Sequence, residues 1–302
     1  MIEVAVTPEK RLKRVQKYIT QMPSLSTTVT KVLEICDSPT ASPNDLNRVI
    51  SLDPVLVGQV LRLINSAYYS IPEQVTSLTR AIIMLGLNTV KNLALSTAVL
   101  ERLVAKASFQ ALSMNDFWTH SICVGVTAKA IATIKGFPLT EREEYFVAGL
   151  LHDLGKIPLN NRFPEEYIQA LESAKPGQCP LHQAENMIFG IDHCVVGRMI
   201  AEKWKLSEAM NDSLRCHHNP DEAEEETRRL VEIVALANAY ANTFAIGSSG
   251  DPFPEKPMVT DLVERVGVSW STLSDLRETV LDEIEQAKIF LRINQKGQPH
   301  EH

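Results

Sequence analysis

Apolar residues recur along this chain at spacings of three and four and almost nowhere in strict alternation. That pattern predicts amphipathic helices and no sheet. Val55-Leu-Val-Gly-Gln-Val-Leu-Arg-Leu-Ile64 is a clear case. The polar punctuation agrees. Ser42-Pro43-Asn44-Asp45 combines an N-cap hydroxyl, a proline at the first helical position and an acid in the first turn, and Asp53-Pro54 repeats the device. Thr140-Glu-Arg-Glu143 reads as a capping box that starts the helix leading to His152. The expected fold class is all-α.

The same pattern divides the chain into blocks. Residues 10–110 form an apolar helical lobe without histidine, and residues 111–245 a helical core that holds every candidate ligand. Residues 246–258, dense in Gly, Ser and Pro, read as a loop or linker. Residues 259–302 return to helical spacing as a C-terminal extension.

Composition narrows the function classes. A chain of 302 residues, 44% hydrophobic and 22% charged, is ordinary for a globular protein with a well-buried core. Its net charge of −7 argues against a nucleic-acid-binding surface. Lys10, Arg11, Lys13, Arg14 and Lys17 are helix-spaced and read as a solvated face. The five cysteines are scattered, with no C-x-x-C pair, which fits free thiols in a reducing compartment. No apolar run approaches the ~20 residues of a membrane span, and the N-terminus lacks a signal-peptide layout. A cytoplasmic location follows as an expectation.

Histidine usage changes the picture most. Six of the eight histidines fall between His120 and His218. His152-Asp153 ends an apolar run, Ala148-Gly-Leu-Leu-His-Asp-Leu-Gly-Lys156, so both side chains leave a buried element together. Asp116 and His120 are four apart and share a helix face. His193 is followed by Gly197, which leaves room one turn on, and the adjacent His217 and His218 point about 100° apart if helical. Lys156 would set an ammonium beside Asp153 as a point charge for phosphate, making these two the candidate catalytic pair. Such a cluster can hold divalent ions, supply hydroxide near neutral pH and clamp a phosphoester. By contrast His182, in Pro180-Leu-His-Gln, reads as a surface or hydrogen-bonded structural residue, and Trp118 and Trp204 as core or interface anchors.

These motifs carry a resemblance. Leu151-His-Asp-Leu-Gly-Lys156, with an upstream His120 and the downstream His193 and His217-His218, resembles the HD superfamily of metal-dependent phosphohydrolases. The order of ligands is similar to its HD-GYP branch, which hydrolyses cyclic di-GMP. Met22-Pro-Ser-Leu-Ser26, Ile50-Ser-Leu-Asp-Pro54 running on to Asn65-Ser-Ala-Tyr-Tyr69, and Ser77-Leu-Thr-Arg-Ala81 running on to Gly86 look like the HDOD domain, the HD-related output domain of bacterial signalling proteins. The resemblance implies an all-α HDOD architecture and a metal set of His120, His152, Asp153, His193, His217 and His218. It implies one or two divalent ions, iron or manganese ahead of zinc or nickel.

Two departures bear on activity. The Gly-Tyr-Pro segment of the HD-GYP branch is missing after His218, where the chain reads Asn219-Pro-Asp-Glu-Ala223. The closing acidic ligand is replaced by Asn238, a neutral and weaker oxygen donor, and Asp116 is the expected substitute carboxylate. The leading expectation is a bacterial signalling module that binds a protein partner in trans, with little or no catalysis. The alternative is a metal-dependent phosphohydrolase acting on a nucleotide or cyclic dinucleotide, and a third reading is an oxygen or redox sensor through iron in the same site.

Overall fold

Every regular element is helical in the computed structural model, which describes residues 7–36, 38, 40–104, 110–174, 179–251 and 256–295. The first block supplies α1 (Pro8–Gln21), α2 (Thr27–Cys36), α3 (Pro43–Ile50), α4 (Pro54–Ile64), α5 (Leu78–Leu85) and α6 (Leu87–Val104). The second supplies α7 (Met114–Ile134), α8 (Leu139–Leu151), α9 (Lys156–Arg162), α10 (Pro164–Ser173), α11 (Leu181–Phe189), α12 (His193–Trp204), α13 (Glu208–Cys216) and α14 (Glu225–Thr243). The last comprises α15 (Lys256–Val266), α16 (Trp270–Asp275), α17 (Arg277–Ala287) and α18 (Ile289–Gln295). Part of the expected loop, residues 252–255, and the end of the C-terminal extension, residues 296–302, lie outside the described residues. No single helix among the described residues is long and apolar enough to cross a membrane.

Local chemistry sets most boundaries. Ser42 and Asp45 form the expected capping box at α3, and Asp53 Oδ1 accepts from the Leu56 amide at the start of α4 (3.0 Å). The box expected at Thr140 does not form. α8 starts two residues earlier, at Leu139 behind Pro138 and without a side-chain cap, and Glu143 is drawn into the core instead.

There Glu143 ties the two blocks together. Tyr69 donates to Glu143 Oε1 (2.6 Å), and Lys129 donates to Glu143 Oε2 (2.9 Å) and to the Tyr68 hydroxyl (3.1 Å). Lys129 also lies 4.3 Å from the Tyr68 ring centroid, a cation–π contact. Phe290 of α18 packs on the same aromatic group, 5.6 Å from Tyr68 and 4.9 Å from Phe146. A second tie runs from Trp204, at the end of α12, whose indole donates to the Pro23 carbonyl (3.1 Å).

Glu143→Ala leaves Lys129 and the Tyr69 hydroxyl without their acceptor in a buried setting. We expect it to cost about 2–3 kcal/mol in urea denaturation, and Glu143→Gln to cost less because the amide still accepts from Tyr69.

Candidate metal centre

Two helices that touch backbone to backbone bring the first ligands together. α7 and α8 cross at Gly125 and Gly149, where a Cβ on Gly149 would lie 2.8 Å from Gly125 Cα. Only glycine permits that approach. It sets His120 of α7 and His152, at the C-terminus of α8, with ring centroids 5.6 Å apart. The chain then turns through Asp153 into α9. A Cβ on Gly155 would fall 1.8 Å from the His193 carbonyl oxygen, so this turn seats directly on the start of α12. His217 and His218 follow α13 rather than continuing it, and their rings lie 4.4 Å apart.

Asp153 is the meeting point of these elements. Its Oδ1 lies 3.4 Å from His193 Nε2 and 3.6 Å from His217 Nε2. Its Oδ2 lies 3.3 Å from His152 Nε2 and 3.9 Å from His120 Nε2. His193 Nε2 is 3.2 Å from His217 Nε2 and 3.1 Å from His218 Nε2. Ligand atoms that share one ion at ~2.1 Å lie roughly 3.0–3.4 Å apart; the contacts of His193 and His152 fall in that range, while His217 and His120 stand slightly farther from Asp153 (3.6 and 3.9 Å).

Tautomers are fixed from behind. His152 Nδ1 donates to the Gly149 carbonyl (2.7 Å) and His217 Nδ1 to the Ser213 carbonyl (3.0 Å). Their Nε2 atoms therefore present lone pairs inward. His193 Nδ1 lies 2.6 Å from Glu185 Oε2, which also accepts from the His193 amide (2.8 Å), while Tyr167 donates to Glu185 Oε1 (3.0 Å). This is the carboxylate–histidine arrangement that orients metal ligands. Both ring nitrogens of His120, Nε2 of His152 and Oδ1 of Asp153 are buried without a hydrogen-bond partner. Converging lone pairs and orphaned buried acceptors fit a cation among them, because without one they lose hydration for nothing.

Not every expected residue takes this part. Lys156 is buried and donates to Asp153 Oδ2 (2.8 Å) and Ser249 Oγ (3.0 Å), so its ammonium faces a carboxylate and a hydroxyl, not an open pocket. Asn238 lies beside His120, and its Oδ1 accepts from Asn242 (3.3 Å). Asp116 is not brought in. It occupies the exposed first turn of α7, where the Ser113 hydroxyl caps its amide, and the helix carries only His120, one turn later, into the core.

Other residues join unannounced. His182 stacks on His218 with centroids 4.5 Å apart, and His182, His218 and Asp251 offer ligand atoms within 4.8 Å of one another. Cys194 falls within the same reach of His193, His217 and His218. Glu185 carried no signal, since a lone acid eight residues before His193 looks like any helix-surface residue. Asp251 sat in a stretch whose composition says only loop.

The HDOD domain profile matches residues 22–220, about two thirds of the sequence. The chain belongs to the HDOD family. Over 237 residues this HDOD protein is 26% identical to an uncharacterized protein of Treponema pallidum (strain Nichols), covering 78% of this chain and 45% of that one. It spans less than half the length of the curated relatives it matches. An HDOD domain protein from Geobacter sulfurreducens has the same fold at 24% identity, with a TM-score of 0.72 over 94% of this chain and 98% of the other. A candidate phosphohydrolase from Shewanella amazonensis SB2B is similar in fold at 20% identity, with a TM-score of 0.65 over 93% and 97% of the two chains.

Burial dominates the electrostatics of the HDOD centre. It lowers His120 and His193 to about 3 and His217 to about 4, and drives His218 down as well. Burial alone would raise Asp153, yet His152 and Lys156 beside it hold it well below the usual carboxylate range. Burial lifts Glu185 to about 8 against the opposing pull of Lys156.

The folded histidine values lie below the ~6.5 of an unfolded chain, so the unfolded state takes up protons first as pH falls, and stability declines below about pH 6.5. Glu185 titrates in the opposite sense and offsets one histidine. Thermal melts of the metal-free protein should therefore drop by roughly 10 °C between pH 7 and pH 5. A flat profile would mean that these imidazoles are already solvated.

Proposed function

We propose that this HDOD protein is a bacterial signalling module that holds a divalent ion in a buried His/Asp centre and presents its helical surface to a protein partner in trans, with little or no turnover of its own. The observation that supports this reading most is the enclosure of the centre. His120, His152, Asp153, His193 and His217 are fully buried, and only His218 reaches partial exposure. His218 borders a cleft of about 340 Å³ that Asp221, Asp261 and Arg265 also line. Arg265 is engaged by both acids (2.8 Å to Asp261 Oδ2), so among the described residues lining the cleft there is no free cation for an anionic phosphoester.

His193, His217, His218 and Asp153 Oδ1 would hold one ion, and His120, His152 and Asp153 Oδ2 would form a second position. The second is the weaker, because Asp153 Oδ2 already carries the Lys156 ammonium and Asn238 contributes no charge. A bound ion supplies positive charge that satisfies the converging lone pairs and locks α8, α12 and the segment after α13 together. Imidazole with carboxylate accepts iron, manganese, zinc or nickel, and the HD resemblance puts iron or manganese first. The free thiols of Cys123, Cys179, Cys194 and Cys216 fit a reducing cytoplasm.

A second reading, hydrolysis of a nucleotide phosphoester, draws on the retained ligand set and on the fold shared with the Shewanella amazonensis candidate phosphohydrolase. In it Asp153 and the surrounding histidines would hold divalent ions that supply hydroxide and Lewis acidity, and Lys156 would leave Asp153 and Ser249 to face phosphate.

Elemental analysis of the purified protein separates these readings. About one equivalent per chain is expected, with no metal-dependent turnover of bis(p-nitrophenyl) phosphate. Turnover that scales with metal content would put the second reading in its place. His193→Ala should lose the ion and lower the melting temperature by roughly 5–10 °C, since an ion that binds only the folded state stabilises it. Unchanged metal content and melting would remove the centre altogether.

A further inference from the structure

A buried metal centre needs a route by which its ion arrives, and five of its six ligands are closed off. The exception, His218, belongs to two ligand groups at once. Inward it meets His193 and His217, and outward it meets His182 and Asp251. We propose that His182, His218 and Asp251 form a loading site for a divalent cation at the mouth of the centre, from which the ion passes inward by exchange at His218. This inference rests on the reading of the inner cluster as a metal centre.

The outer group is built rather than incidental. His182 lies on α11 and is half-buried, yet its Nδ1 is shielded from solvent and has no hydrogen-bond partner. Its ring stacks on His218 at 29°, and the two imidazoles and Asp251 offer ligand atoms within 4.8 Å of one another. Asp251 is 6% exposed, although it lies in a Gly/Ser-rich loop that composition would leave in solvent. Two hydrogen bonds hold that loop on the centre. The Ser248 amide donates to the Asp116 carbonyl (3.0 Å), and Lys156 donates to Ser249 Oγ (3.0 Å). Asp251 also acts electrostatically on Lys156, so its charge is felt on the flank of Asp153. Two imidazoles and a carboxylate make a binding set of moderate affinity, suited to capture and release. The deeper group, with Asp153 and up to three imidazoles, is the tighter sink.

The test uses Co²⁺ as the probe, added to metal-free protein and followed by its visible absorption in a stopped-flow instrument. Relative to wild type, His182→Gln and Asp251→Asn should each slow loading at least fivefold. They should slow extraction by excess EDTA by the same factor and leave final Co²⁺ equivalents and affinity unchanged. A residue that only supports the fold would lower affinity or equivalents without this matched change in both rates. Unchanged loading rates, or loss of equivalents at an unchanged rate, overturns the loading site while the inner centre stands. A wild-type protein that takes up no Co²⁺ overturns both.

Discussion

A single buried carboxylate organises this protein. Asp153 has no solvent to stabilise its charge, so the charge survives only because cationic and polarisable groups surround it. Lys156 occupies one flank of Oδ2, and imidazole nitrogens face both oxygens. Everything that delivers those imidazoles acts in support of that arrangement. The backbone carbonyls of Gly149 and Ser213 fix two tautomers, and Glu185, itself held by Tyr167, orients a third. A cation is the natural complement of such a cavity.

Much of this was legible in the sequence, for identifiable reasons. Helical spacing and the caps at Ser42 and Asp53 are local properties, and local properties survive tertiary packing. His120, His152-Asp153, His193 and His217-His218 stood out because histidine is scarce and clustered. What misled was geometry beyond one turn. Asp116 shares a face with His120, but that face is at the surface where α7 begins and in the core one turn later. Glu143 had the right spacing for a cap and was taken instead by Lys129 and Tyr69 from distant parts of the chain. His182 looked solitary because its neighbour, His218, lies 36 residues away in sequence.

The motifs that most specifically resembled the HDOD domain also gain a physical account. Tyr68-Tyr69 meets α8 through Glu143, and Pro23 meets α12 through Trp204. α8 and α12 are the helices that carry the His-Asp doublet and His193. The histidine-free first block thus grips the histidine-bearing helices at their far ends from the His/Asp cavity, and α18 reinforces the grip through Phe290. This gives the first block a mechanical connection to the centre without contributing a ligand.

That connection has a direction, set by the glycines. Between α7 and α8 the contact is backbone on backbone at Gly125 and Gly149, and between the Asp153 turn and α12 it is again backbone, at Gly155. Such contacts have no side chain to re-rotamer, so both are stiff. The α12–α13 contact differs, since Gly197 faces the side chain of Leu214 and α13 ends before His217. The compliance of the cavity is therefore one-sided. A change in the size or charge of any occupant would be absorbed at His217 and His218, beside the cleft and the C-terminal helices, while the opposite wall would stay in place.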